Sequence, residues 1–115
     1  MKNFFVLFCV PVKTMTDWMT NVPEEERKKQ TEGMMGDWQK WMESHAGMIK
    51  DSGKPLGKTK RVTKSGVEDV KNDLNYYIIV EADSHEAAAA MVQDNPHFMI
   101  PDAYIEVVEI PNRGM

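Results

Sequence analysis

The chain has 115 residues, a formal charge of -4 and a single cysteine, and 42% of its residues are hydrophobic. That length fits one domain over 1–115, because two would leave each with too little core to bury. Acidic and basic residues are interspersed, which excludes the concentrated basic surface that grips a phosphate backbone, and no apolar run is long enough to span a bilayer, so neither nucleic acid nor membrane is expected as a partner.

The first element is "FFVLFCV", residues 4–10, rich in Phe and Val and closed by Pro11, which predicts a strand. Phe4, Val6, Phe8 and Val10 point one way, and Phe5, Leu7 and Cys9 point the other, so both faces are apolar. Cys9 has no partner for an internal disulfide and reads as a small core residue. The short run, a lone Lys2 before it and Pro11 and Lys13 after it do not make a signal peptide, so a cytoplasmic protein is expected.

"TDWMTN" predicts a turn of helix capped by Thr16 or Asp17. "PEEERKKQTEGMMGDWQKWMESHAG" is the clearest helix. Pro23 and the three glutamates after it suit its N-terminal end. Met34, Trp38, Trp41, Met42 and His45 recur at three and four, and Gly47 follows the end. Its polar first half is expected to project into solvent. "GMIKDSGKPLG" predicts a short strand and turn, and "KTKRVTKSG" an exposed strand that Gly66 ends. The locally basic "KDSGKPLGKTKRVTK" lacks interleaved aromatics and reads as a solvated hairpin. "NYYIIVEA" is a second strong strand, with Tyr77, Ile79 and Glu81 on one face and Tyr76, Ile78, Val80 and Ala82 on the other. "DSHEAAAAMVQDN" predicts a helix opened by an Asp83–Glu86 capping box and stopped by Pro96. "AYIEVVEI" predicts the last strand.

The order is the βαββαβ pattern of a ferredoxin-like α+β protomer, an antiparallel sheet with helices on one face and its first and third strands central. Helices cover one face only, yet the first strand is apolar on both. Leaving its second row in water forgoes roughly 1.5 to 3 kcal/mol per large side chain. A homodimer with the two sheets packed face to face follows as the expectation.

"PEEERKKQTEGMMGDWQKWMESHAGMIKDSGKPL" resembles the first helix and following strand of the YCII-related family, nearest its DGPF-domain members. Trp38, Trp41, Met42, Gly47, Gly53, Pro55 and Leu56 carry the match. "GKTKRVTKSG" is similar to that family's hairpin. "YYIIVEADSHEAAAAMVQDNPHF" is similar to a later segment through Tyr77, Ala82, Asp83, Ser84, Glu86, Ala87 and Pro96, and "YIEVVEI" to its closing strand. The resemblance covers nearly the whole chain and implies a dimeric α/β barrel, with acid-base chemistry in some members through a His and an Asp. Gly36 and Asn95 stand at those two places here, and "VEDVKND" stands where the DGPF tetrapeptide would be.

Three residues are candidates for proton handling. His97 lies between Pro96 and Pro101, with Asp94 nearby, and reads either as a proton shuttle or as a partly exposed turn residue. Glu81 and Glu106 sit within strands among large apolar residues. Facing into a barrel they would be general-base candidates, and facing out they would be solvated or salt-bridged. Trp38, Trp41, His45, Asp51 and Tyr77 are candidates to border a ligand pocket. The competing readings are a core stripe for the tryptophans, a packed or capping histidine for His45 and a turn-forming Asx for Asp51. His85 reads as solvent-facing. The three histidines are well separated and no H-x-x-x-H or C-x-x-C spacing occurs, so no metal and no cofactor are expected. Two functions fit: an acid-base enzyme on a small organic molecule, or a small-ligand-binding or regulatory module using the same cavity.

Overall fold

A computed structural model describes residues 1–111. In chain order it has β1 (Lys2–Cys9), α1 (Val12–Asn21), α2 (Glu24–Ser44), β2 (Ile49–Pro55), β3 (Thr59–Thr63), β4 (Gly66–Val70), β5 (Leu74–Ala82), α3 (His85–Met91), a 3-10 turn (Pro96–Met99) and β6 (Tyr104–Ile110). Four strands form one sheet in the order β2-β5-β1-β6, with every neighbouring pair antiparallel. The two most apolar strands are thus central, as the pattern of hydrophobic residues predicts. β3 and β4 pair only with each other and form a separate hairpin.

The pleat of β1 divides its side chains between two layers. Phe4, Val6 and Phe8 face Val80, Ile78 and Tyr76 of β5, and on the other side Glu109, Val107 and Ile105 of β6. All three are fully buried in a core with Trp41 of α2 and Ala88 and Met91 of α3. Trp38 and Met42 pack against the same core, so the stripe at three and four is the buried side of α2. The first half of α2 is almost wholly exposed.

Three local expectations differ from the structure. α1 is a full ten-residue helix whose N-cap is Pro11. Thr16 and Asp17 lie inside it, with Asp17 paired to Lys13 one turn earlier at 2.6 Å. α3 is capped by Ser84, which accepts the Ala87 N–H at 3.0 Å, so the Asp83–Glu86 capping box does not form. A cap residue must be extended while the next is helical, and Ser84 is the last extended residue (φ -150, ψ 165). Gly66 begins β4 as well as closing the turn after β3. Cys9 is buried at the end of β1, as a small core residue should be, and a register shift separates it from Phe8.

β2 is irregular, with register shifts on both sides of Asp51. Asp51 Oδ1 accepts the Gly53 N–H at 2.8 Å, and Gly53 adopts φ 72. A Cβ at Gly53 would lie 1.5 Å from the Tyr77 carbonyl oxygen. Gly53→Ala is therefore expected to destabilise the fold by well over about 1 kcal/mol, through both left-handed strain and a backbone clash. Thermal unfolding followed by circular dichroism checks this, and an unchanged midpoint would contradict it.

Among the described residues no helix lies on the second face of the sheet. Phe5 lies between Ile79 and Val108, and Leu7 between Tyr77 and Glu106. Phe5 and Leu7 are half-buried, and Val108 and Ile110 are 45% and 39% exposed. The molecule measures 44 × 44 × 19 Å, two layers thick. Its radius of gyration is 15.9 Å, against about 13 Å for a compact chain of this length.

Candidate functional site

The chemistry-bearing side chains concentrate at one end of the open face, where β1, β6 and the segment before β5 meet. Cys9 and Tyr104 are register partners across β1 and β6. Strand alternation places Glu106 on the same face as Tyr104, opposite Leu7. Asp73 precedes β5 and is fixed from two sides. Its Oδ1 accepts the Val12 N–H at the start of α1 at 3.1 Å, and its Oδ2 accepts the Tyr104 hydroxyl at 2.6 Å. The Asp73 carbonyl also accepts the Val10 N–H at 2.8 Å. This segment therefore ties the end of β1 and the start of α1 to β5, and its carboxylate is aimed rather than left to swing.

The electrostatics follow from these contacts. The hydrogen bond to Asp73 holds the Tyr104 phenol well above its ordinary value, with burial and nearby negative charge acting the same way. Tyr104 is thus a neutral donor across the whole physiological range. Burial raises the Cys9 thiol, and the Glu106 and Asp73 charges add to the effect against an opposing Tyr104 hydrogen bond. A thiol held protonated is a poor nucleophile. The arrangement offers an oriented carboxylate with a phenol donor on it and a second carboxylate two residues along the strand. Such a set can take a proton from a bound molecule, with the phenol O–H and the Val12 N–H holding the accepting carboxylate in place.

The other candidates from the sequence lie elsewhere. His97 is 4% exposed, so the partly exposed turn does not describe it. Its Nε2 lies 2.8 Å from the Cys9 carbonyl oxygen. A carbonyl only accepts, so Nε2 carries the proton. Its ring stands edge-on to Phe8 at 5.4 Å, on the helix-covered side of the sheet. Its N–H is accepted at 2.8 Å by Asn95 Oδ1. Burial lowers the His97 imidazole below its ordinary value, against the opposing influence of the Cys9 and Tyr104 backbones.

Glu81 is on the open face but at the far end, opposite Asn3, and pairs with Lys50 at 2.7 Å. Trp38 packs against Phe8 and Tyr76 at 4.7 and 5.1 Å. Trp41 donates Nε1–H to Asp94 Oδ1 at 3.1 Å and borders a shallow depression of about 580 Å³ with Asn95, Phe98 and Met99. His45 is the C-cap of α2, stacked on Trp41 at 4.3 Å. Asp51 is exposed on β2, and Tyr77 lies on the open face 5.4 Å from Phe5. His85, exposed as expected, still has its Nε2 2.7 Å from the Val107 carbonyl oxygen.

The structure therefore gathers Glu106 with Cys9, Asp73 and Tyr104. Tyr104 was visible in sequence as the neighbour of Glu106 on one face. Asp73 was not, because its partners lie 31 and 61 residues away. Among the described residues no group of three His, Cys, Asp or Glu side chains is placed to hold a metal ion, and no helix is long and apolar enough to cross a membrane.

No family model and no curated protein matches the chain. Among solved structures it is similar to the 5-chloro-2-hydroxyhydroquinone dehydrochlorinase from Burkholderia phenoliruptrix AC1100 in complex with 2,5-dihydroxybenzoquinone. Identity is 15%, the match covers 92% of this chain and 91% of that one, and the TM-score is 0.47. A likeness at that level transfers no residue role and no reaction.

Proposed function

We propose that this chain is the protomer of a homodimer whose sheets meet through their open faces, and that it carries out acid-base chemistry on a small organic molecule at the end of that face. The observation that carries the reading is the 2.6 Å hydrogen bond from the Tyr104 hydroxyl to Asp73, set on the same face as Glu106. Asp73 is the general base, Tyr104 holds it in position through its single O–H, and Glu106 is the second carboxylate. Covering the face with a twin excludes water and strengthens each of these interactions. In this reading His97 supports the fold beneath the sheet, and Glu81 with Lys50 marks the rim.

A non-catalytic ligand-binding module is the alternative, favoured by the raised Cys9 thiol, which leaves no activated nucleophile in the cluster. Proton–deuterium exchange separates the two. A panel of small carbon acids is incubated with the protein in heavy water and followed by NMR. Exchange at one substrate position is expected, falling at least about a hundredfold in Asp73→Asn, in line with the loss of a general base. Tyr104→Phe is expected to lower the rate less and to shift its pH profile. Ligands that raise the melting temperature yet never exchange would favour the binding module and overturn the catalytic reading.

A further inference from the structure

We propose that the cleft between α1 and the β3–β4 hairpin binds an organic anion with an apolar or aromatic body, and that this is the substrate class presented to Asp73. The proposal rests on the acid-base reading for its link to chemistry, but not for the binding itself.

The cleft has a volume of about 1150 Å³. That is ample for a small organic molecule, since ligand sites commonly span roughly 300 to 1,000 Å³. One wall is the inner side of α1 with Met15, and the floor is apolar, formed by Val10, Val12, Leu56 and Leu74. α1 has no fully buried residue, and Val12 and Met15 on its cleft side are only partly covered. The opposite wall is the hairpin and its flanks.

Charge is distributed unevenly around this floor. Lys58, Lys60 and Lys71 line the cleft together with Asp69 and Asp73. The wall therefore carries one positive charge in excess, in a chain whose formal charge is -4. Lys60 is taken by Asp69 at 2.6 Å. Lys58 and Lys71 make no ion pair among the described residues, unlike Lys13, Lys50 and Lys60. The two Asp73 oxygens are already engaged by the Val12 N–H and the Tyr104 hydroxyl. Two unpaired ammonium groups above an apolar floor fit a carboxylate on an apolar frame, which neither a neutral hydrocarbon nor a fully polar anion matches. Asp73 is the one residue shared between this cleft and the Tyr104–Glu106 cluster, so a molecule held by the lysines has its body against the proposed base.

The test uses the full chain and 1-naphthoate, with 1-naphthamide as its neutral counterpart. Binding is followed at equilibrium by amide chemical shifts. Naphthoate is expected to move the resonances of Val12, Met15 and Leu74 and to bind more tightly than the amide. The double substitution Lys58→Gln, Lys71→Gln is expected to weaken naphthoate by about tenfold while leaving naphthamide unchanged, as loss of charge-assisted contacts requires. Both lysines are solvent-exposed, so this variant keeps the fold. The proposal is overturned if naphthoate moves no cleft resonance, if it and the amide bind equally, or if the double variant binds both as the parent does. It is also overturned if the cleft resonances shift with protein concentration alone, which identifies a second copy as the occupant. Binding can fail while proton exchange succeeds, and the reverse, so the two readings fall separately.

Discussion

Leu7→Lys is expected to leave the protomer folded and to weaken the proposed homodimer strongly. Leu7 lies on the face of β1 that carries no helix, between Tyr77 and Glu106, and is half-buried within its own protomer. A lysine there keeps its ammonium in water while the protomer is alone, so the fold loses little. Bringing a second sheet onto it would desolvate an ammonium in the middle of an apolar contact. The dimer constant is expected to weaken at least about a hundredfold, close to 3 kcal/mol. Sedimentation velocity at micromolar concentration reads this directly, with circular dichroism confirming the fold. A Met35→Lys control on the solvent side of α2, 65% exposed in the parent, is expected to stay dimeric. A parent that sediments as a monomer, or a Leu7→Lys variant that remains a dimer, would remove the twin from the open face. Any site completed by that twin would go with it.

The fold was legible where side-chain periodicity had one cause. β1 and β5 read as central strands because each holds an unbroken apolar run, residues 4–10 and 76–80, and burial on both faces is what such runs require. The α2 stripe read correctly because Trp38, Trp41 and Met42 pack on one core. Local signals failed where two neighbours competed for one role. Asp83 and Ser84 are both good caps, and only the backbone turn into α3 chooses Ser84. The hairpin strand β4 was hidden because "GVEDV" pairs only with β3 and buries no residue fully, so it has no apolar alternation to display.

The site was less legible for the same physical reason. A strand shows which residues share a face, so Glu106 and Tyr104 could be placed together. Asp73, which completes the cluster, reaches it through tertiary contacts that leave no trace in spacing. His97 read in sequence as a proton shuttle or a partly exposed turn residue, because a histidine between prolines resembles an exposed loop. Its loop instead folds back under the sheet, and the ring fills space beside Phe8.

That buried histidine sets the second large effect. His97→Ala removes the donor to the Cys9 carbonyl and leaves a hole beside Phe8, which is itself fully buried. A buried acceptor losing its partner and a cavity of ring size together should cost about 2 to 4 kcal/mol. The parent should also lose stability in acid. Burial holds the folded ring below its ordinary value of 6.5, so as pH falls the unfolded chain binds the proton first. The contribution of His97 is therefore complete above about 6.5 and drains away below it, down to the lower pH at which the folded ring finally protonates. The slope from this one group is at most about 1.4 kcal/mol per pH unit. Urea unfolding of the parent and of His97→Leu at intervals between pH 7.5 and 5 isolates that slope, because the remaining ionisable groups are common to both. The two curves are expected to converge as pH falls. Curves that stay parallel would mean the imidazole is solvated in the folded state, and with it the assignment of His97 to the core rather than to proton transfer would be lost.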